Sequence, residues 1–300
     1  MTAVLVNYGS ADDTLACVRS LEASRYAALH VIVIDNHSPD ASGKRLAREL
    51  PAGVEFIQSD RNLGFSGGNN LGIRRALDEG AEYILLINND ATLKPGALQI
   101  LVESAPKEAR LGILAGKIMI ANDSGPTEDV WSAGGRWYPL KSNAYPEGMG
   151  ERDQGQFERA GETEFVPGCL WFVPAGVFRR VGLLDEAFFL YGEDADYCLR
   201  LRQAGYRLVY NPLAICYHKV SRSHWHDRER ASPLLNYYTN RNRFLIARRW
   251  LNPVQRLVFY LYIFASRLIQ AGRYLDRSYL SGLWDGVRGK TGPLSAGKAS

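Results

Sequence analysis

Short apolar runs alternate with segments of helical periodicity from the N-terminus onward. AVLVNY (3–8), HVIVIDN (30–36), VEFIQS (54–59) and YILLINND (83–90) are apolar stretches that end in polar residues. TLACVRSLEAS (14–24), SGKRLAREL (42–50) and LGIRRALDEG (71–80) carry apolar residues at helical spacing. Compact apolar runs of this length read as buried strands, and the periodic segments as the helices that connect them. The alternation predicts a mostly parallel sheet flanked by helices, an α/β fold. Ligands of such sheets bind beyond the carboxyl ends of the strands. The polar residues there are Asn7, the stretch 35–40, and Asn88, Asn89 and Asp90. RNLGFSGGNN (61–70) predicts a glycine- and asparagine-rich loop, and Gly80 the cap of the helix that follows it.

The pattern weakens from about 121 to 164, where irregular structure and short hairpins are expected, including WSAGGRW (131–137). Strand character returns in EFVPGCLWFVP (164–174), and AGVFRRVGLL (175–184) is helical. A helix is predicted from about 194 to 204, stopped by Gly205. Beyond Pro233 the chain changes in kind: NYYTNRNRFLIARRW (236–250) and PVQRLVFYLYIFASRLIQAGRYL (253–275) are helical, aromatic and basic. The longest uncharged run there, LVFYLYIFAS (257–266), is shorter than the roughly 20 apolar residues that span a bilayer. Two expectations stand side by side. The segment packs on the core or on a second copy, or it lies amphipathically in a membrane interface with Arg256 and Arg267 on lipid phosphates. TGPLSAGKAS reads as a frayed tail.

Composition sharpens this division. With 300 residues, 46% of them hydrophobic and 23% charged, the chain is long enough for a globular protein with a sizeable core. The net charge of +4 conceals an asymmetry. From Lys219 onward there are 15 Lys+Arg against 4 Asp+Glu, whereas the preceding stretch holds 21 against 28. An acidic body with a basic, aromatic tail suits a metal or sugar site beside an anionic surface. Nucleic acid is not an expected partner, because the basic residues are interleaved with apolar ones at helical spacing. Cys17, Cys169, Cys198 and Cys216 are scattered without a CxxC, which predicts neither disulfides nor zinc and fits a reducing compartment. The first strand starts almost at Met1, so no signal peptide is expected.

Several polar groups carry candidate chemistry. Asp90 is a single carboxylate at the end of an apolar strand, where a hard divalent cation sharing phosphate ligands could be held; it could equally cap the segment after it. Asp35, in DNHSPD (35–40), could accept bonds from a base or ribose, with Asn36 and Ser38 beside it, or could form an Asx-turn. RNLGFSGGNN matches neither standard phosphate-loop pattern, yet its glycines allow close backbone approach, and Asn62, Asn69 and Asn70 supply amides. In FFLYGEDADYCLRLRQAGYRLVY (188–210), Glu193, Asp194 and Asp196 open a helix behind a wall of Phe188, Phe189, Leu190 and Tyr191. Acids favour a helix N-terminus anyway, and Asp196 can pair with Arg200 one turn on. A carboxylate at the edge of a dry pocket also makes a competent general base. His218 follows an apolar run, and His224 and His226 flank Trp225 in an expected loop.

In order along the chain, VLVNY, DNHSPD, NLGFSGGNNLGI, YILLINND and PGCLWFVPAGVFRRVGLLDEAFFLYGEDADYCLRLRQAGYRLVYNPLAICYHKVS resemble the family 2 inverting glycosyltransferases, most closely their bacterial rhamnosyltransferase-like branch. The resemblance covers residues 3 to about 250. It implies a GT-A (Rossmann-like) fold, with a glycosyltransferase domain over 1–232. Within that domain, residues 1–120 would bind the nucleotide and residues 121–232 the acceptor. The helical C-terminal extension over 233–300 is left as a membrane-interface or oligomer contact. The resemblance also implies a nucleotide-diphosphate sugar donor, dTDP- or UDP-linked with rhamnose as the expected sugar, and a divalent cation, Mg²⁺ or Mn²⁺. The acceptor would be a glycan or lipid-linked molecule of cell-surface polysaccharide synthesis, met at the cytoplasmic membrane face, with a homodimer as a further possible partner.

Residue by residue, the resemblance makes Asp194 the base and Glu193 its neighbour orienting the acceptor. Trp171 falls on the acceptor side. Asp90 and His218 become metal ligands. Asn7, Asp35, Asn62, Gly67, Asn69, Asn88 and Asn89 fall on the donor side. The family's "DXD" element reads Asn88-Asn89-Asp90 here, so its first acid is missing. The alternatives are a sugar-nucleotide nucleotidyltransferase and a non-catalytic sugar-nucleotide-binding module. The first would want a basic loop where VNYGSADDT (6–14) has neither Lys nor Arg, and the second would not need intact acids at 90, 193 and 194.

Overall fold

A computed structural model describes residues 1–219, 232–271 and 277–294, with side chains omitted over 267–277. His224, His226, Arg267 and most of the frayed tail therefore lie outside what is described. Strands β1 (Thr2–Asn7), β2 (His30–Asp35), β3 (Val54–Gln58) and β4 (Tyr83–Ile87) alternate with α1 (Ala11–Glu22), α2 (Ser42–Glu49) and α3 (Gly64–Asp78). These four strands pair in parallel in the order β3-β2-β1-β4. Asn7 and Asp35 are register partners, so the polar ends of β1 and β2 come to one edge.

β4 then pairs antiparallel with β11 (Leu170–Pro174), which continues through β6 (Leu111–Asn122) to β12 (Arg207–Lys219) and β10 (Gly161–Thr163). The sheet is thus mixed, with the parallel half as expected. β5 (Ala91–Leu93) pairs with the end of β12, placing His218 opposite Ala91. One face is buried by α1, α2 and α4 (Ala97–Ser104). The other is buried by α3, α5 (Ala175–Val181) and α6 (Glu193–Gln203).

Two local expectations change. The stretch 61–70 is mostly not a loop, because α3 starts at Gly64 and runs through the glycines and asparagines. Glycine is a poor helix former, but the helix lies too close to the sheet for side chains. A Cβ on Gly68 would come 2.8 Å from Val6, and one on Gly72 2.4 Å from Val4. Gly80 does close the helix, at φ +76° with its N–H on the Leu77 carbonyl. The second change is confined to part of 121–164, where a short hairpin occurs as expected but further strands also join the main sheet. β6 turns into β7 (Gly125–Ser132), and β8 (Gly135–Tyr138) and β9 (Asn143–Pro146) form a separate hairpin. β7 is half exposed along most of its length, so its sequence lacks the apolar run that marks a buried strand.

The C-terminal helices are α7 (Pro233–Trp250), α8 (Pro253–Ala271) and α9 (Arg277–Arg288). α7 is built into the body. Tyr237, Tyr238, Asn240, Arg241 and Asn242 are all buried. Arg249 pairs with Asp185 at 2.6 Å and Asp196 at 2.7 Å, and the Trp250 indole donates to Asp196 at 2.9 Å. Asp196 also takes the expected bond from Arg200, at 3.0 Å. α9 covers α7, with Leu283 buried and Asp285 accepting from the Tyr237 hydroxyl at 2.9 Å.

Ending the chain near Trp250 would strip Phe244, a fully buried side chain, of Phe259, Ile263 and Leu283, each buried apolar side chain being worth about 1.5–3 kcal/mol. Such a truncation is expected to melt at a markedly lower temperature or to aggregate. A thermal scan equal to that of the full chain would show α7 to be self-sufficient.

Candidate active site

A cleft of about 1040 Å³ opens at the carboxyl edge of the sheet, with Asn88, Asp90, Glu193, Asp194 and His218 on its walls. A smaller neighbouring cavity of about 280 Å³ also includes Asn88 and Asp90 and extends toward Tyr8, Asn36, Asn62 and Asn69. The carboxylate expected to hold metal and the carboxylate expected to act as base therefore share one space.

β4 brings Asn88-Asn89-Asp90 to this space. The turn is pinned by Asn88 N–H on the Cys169 carbonyl at 2.9 Å, and the Lys219 N–H binds the Asp90 carbonyl at 2.8 Å. The Asn89 amide is already engaged, donating to Thr14 Oγ1 at 3.0 Å. Asp90 Oδ1 lies 3.2 Å from His218 Nε2, within ion-pair reach but without hydrogen-bond alignment, and among the described residues it has no hydrogen-bond donor. His218 Nε2 is also 3.5 Å from the Asn88 amide nitrogen. A buried carboxylate oxygen without a donor, beside an imidazole and an amide, fits a divalent cation that takes its other ligands from phosphate. Asp90 does not cap α4, whose N-cap is Gly96 without a side-chain bond.

His30, Glu55 and Glu79 form another group close enough to hold an ion, but at the opposite, N-terminal edge of the sheet. Arg75 already pairs there with Glu55 at 2.7 Å and Glu79 at 2.6 Å.

Across the cleft, Gly192 turns the chain into α6 at φ +89°, and Glu193 and Asp194 open the helix. Asp194 keeps some of its surface on the cleft, and its Oδ1 accepts the Ala195 N–H at 2.8 Å. Burial pushes its pKa up to about 6, although backbone N–H groups of Ala195 and Gly168 pull the other way. Burial, and then the Asp194 charge, hold Glu193 well above the usual carboxylate range. Its Oε2 is buried without a partner among the described residues. Asp194 is thus poised to exchange its proton near pH 6 while burial also disfavours charge on its neighbour, two differently set carboxyls of the kind general acid–base work uses. Burial pushes the Tyr191 hydroxyl up to about 12, so it remains a donor in this wall.

Four residues predicted to touch ligand take other places. Trp171 is fully buried in the core, with its indole on the Val166 carbonyl at 3.1 Å and its ring stacked on Tyr197. Gly67 lies inside α3, where a Cβ would come 2.7 Å from Leu63. Asn7 is fully buried and donates to Asp35, Ser38 and Ser42, at 2.7, 3.0 and 3.1 Å. Asp35 is 2% exposed and accepts from Asn7, Ser38 and Gln58. Burial works against its ionisation, but these bonds hold its pKa below the ordinary value. Asn7 and Asp35 thus tie the strand ends together, and the side chains that reach the cavity nearby are Tyr8, Asn36, Asn62 and Asn69.

Sequence reasoning missed Tyr8, which is 53% exposed directly after β1. It also missed Lys219, whose ammonium reaches Asp13 and Asp123 at the rim. Leu234 and Tyr238 from α7 complete the smaller cavity. An aromatic after a polar strand end was the available signal for Tyr8; nothing local marked α7.

Solved structures share this architecture. GalNAc-T7, crystallised with UDP, GalNAc and Mn2+, superposes with a TM-score of 0.65 at 17% identity, over 97% of this chain and 54% of that one. TarS 1-349 of S. aureus does so with a TM-score of 0.57 at 13% identity, over 96% of this chain and 80% of that one. The fold is that of the GT-A glycosyltransferases. The sequence pattern of Glycosyl transferase family 2 matches residues 2–182, and the chain belongs to that family.

Among curated relatives, the dTDP-rhamnosyl transferase RfbF of Shigella flexneri is 27% identical over 88% of each chain. The N-acetylglucosaminyl-diphospho-decaprenol L-rhamnosyltransferase of Mycobacterium tuberculosis is 25% identical, over 84% of this chain and 87% of its own. The hexosyltransferase Agl10 of Haloferax volcanii, of low-salt glycan biosynthesis, is 25% identical over 68% of this chain, which spans 62% of its length. Two of these three relatives are rhamnosyl transferases by name.

Proposed function

We propose that the protein is an inverting transferase that moves a sugar, rhamnose by its relatives, from a nucleoside diphosphate to a hydroxyl of a glycan or lipid-linked acceptor. The observation that carries the reading is the single cleft shared by Asp90 and Asp194. Asp194 Oδ takes the proton of the acceptor hydroxyl as that oxygen bonds to the anomeric carbon. The bond from that carbon to the diphosphate oxygen breaks, its electron pair leaving with the diphosphate. Attack from the far face inverts the configuration. A divalent cation bound by Asp90 and His218 would supply Lewis-acid stabilisation of the leaving group. Glu193, whose proton burial and the Asp194 charge hold more tightly than an ordinary carboxyl does, offers a hydrogen bond to an acceptor oxygen and so orients it. Leu190, Tyr191 and Phe65 exclude water from the same cleft. Tyr8 and the amides of Asn36, Asn62 and Asn69 form a surface suited to a base and ribose.

The deciding experiment is a donor screen that counts nucleoside diphosphate released across dTDP- and UDP-sugars with Mg²⁺ or Mn²⁺ and a prenyl-linked acceptor. Release from a dTDP-deoxyhexose above all others supports the reading. Release from none, under conditions where the diphosphates bind, overturns it.

On this reading the acceptor is met at a membrane surface. Among the described residues no helix is long and apolar enough to cross a membrane. α8 nevertheless turns Val254, Leu257, Val258, Leu261 and Tyr262 outward at helical spacing, and α9 exposes Leu280 and Trp284. An amphipathic face beside basic side chains suits anionic lipid. Leu257→Glu with Leu261→Glu is expected to reduce binding to phosphatidylglycerol vesicles at least about tenfold without lowering the melting temperature. Unchanged vesicle binding, with a monomer replacing a dimer in sedimentation, would assign the face to a second copy.

A further inference from the structure

We propose that Asn242, on the C-terminal helix α7, is a positioning residue for the acid pair: it holds the turn that aims Glu193 and Asp194 into the cleft. The inference rests on Asp194 being the base. Immediately before α6 the backbone is left-handed at two successive residues, Tyr191 at φ +65° and Gly192 at φ +89°. Glycine adopts this conformation freely, but for a bulky aromatic it is strained and persists only when its surroundings over-determine it. No side chain caps α6 at Gly192, so the turn has no local restraint of that kind.

The restraint comes from about 50 residues further along the chain. The Asn242 amide donates to the Leu190 carbonyl at 2.9 Å and to the Tyr191 carbonyl at 2.5 Å, the two peptide groups that bracket the strained residue. The amide's orientation is itself set. Its Oδ1 accepts from Arg241 Nε at 2.8 Å, which leaves the NH₂ end for the carbonyls. Arg241 is fully buried, over the rings of Tyr237 and Tyr238, and its other nitrogens reach the Gly292 carbonyl at 2.5 Å and the Ala187 carbonyl at 3.4 Å. The Gly292 N–H closes the circuit on Ala187 at 3.0 Å. A Cβ on Gly192 would stand 3.4 Å from Asn242 Cβ, ordinary contact distance, so the helix packs directly against that glycine.

A buried asparagine needs hydrogen-bond partners wherever it sits. The partners here lie on the two residues, Leu190 and Tyr191, that wall the cleft directly before the acid pair. NYYTNRNRF (236–244), which as sequence belonged to a basic appendage, is through these contacts built into the catalytic apparatus.

The test is Asn242→Asp in the full chain. The substitution preserves shape and the Arg241 contact and replaces only the two donated bonds, setting an oxygen against two carbonyls. The expected result is a fall in kcat of about 10²-fold, the scale of a 1 Å misplacement. Donor KM should stay within about threefold, and amide hydrogen exchange over 188–196 should be faster. Unchanged kcat with unchanged exchange overturns the proposal, as does a loss confined to donor KM. Should the parent enzyme transfer no sugar at all, the functional reading fails, and exchange over 188–196 alone decides whether Asn242 holds the turn. If Asn242→Asp does not fold, Arg241→Lys leaves Asn242 in place but loosens its orientation. It should lower kcat in the same sense, and a full-rate Arg241→Lys with native exchange counts against the proposal.

Discussion

Asn in place of Asp194 is expected to reduce kcat by about 10²–10⁴-fold, the usual worth of a general base, while nucleotide-sugar affinity stays within a few fold. The side chain sits at the mouth of α6, away from the donor-side cavity, so its loss removes proton transfer and spares donor contacts. With its pKa pushed up to about 6, the parent enzyme should gain kcat/KM with rising pH below that value and then level off. Burial and the Asp194 charge hold the Glu193 proton, through which it orients the acceptor, so Glu193→Gln, which keeps a donor there, should retain more activity than Glu193→Ala. Normal turnover by Asp194→Asn would remove the residue as base.

The same substitution should stabilise the fold. The folded protein holds the Asp194 proton more tightly than the unfolded chain, so ionisation opposes folding. That penalty is absent below the ordinary value of 3.8 and complete above about 6. A shift of this size corresponds to about 2–3 kcal/mol. Urea unfolding should therefore find Asp194→Asn more stable than the parent at pH 8 and equal to it near pH 3. Stability gained with activity lost is the signature of a group kept buried for function.

Asp90→Ala is expected to cut kcat/KM by about 10³-fold or more and to remove the dependence of donor binding on Mn²⁺, because charge at the leaving group is worth several kcal/mol. Asp90 offers a buried oxygen without a donor, and Asn88 and Asn89 beside it carry no charge, so no neighbouring acid on the strand end can replace it. Isothermal titration of a nucleoside diphosphate with and without Mn²⁺ reads this directly. Equal affinity in all four combinations of metal and variant would rule the site out, whereas ion uptake that persists without donor coupling would point to His30, Glu55 and Glu79 at the far edge.

Much of this was legible in the chain. Apolar runs ending in Asn7, Asp35 and Asn88 located the strand ends, because a strand buried on both faces leaves no other pattern. The acids at 193 and 194 stood out because they followed a wall of rings at a helix start. Trp171 was put on the acceptor side by resemblance, which does not carry a side chain's burial; its register opposite Leu86 and its stack on Tyr197 put it in the core. The glycines at 64, 67 and 68 read as a loop because propensity is local, while the helix there lies close against Val6.

By itself, then, the sequence determined the alternating α/β sheet and the carboxylates delivered to its edge, since both follow from periodicity and from charge placed beside apolar runs. Only the tertiary structure decided that Asp90, His218, Glu193 and Asp194 face one cleft, and that Asn7 and Asp35 serve the scaffold. It alone turned the polar, basic face of α7 inward, because the partners that satisfy Arg241 and Asn242 are backbone carbonyls some fifty residues away, and no local pattern records a hydrogen bond of that separation.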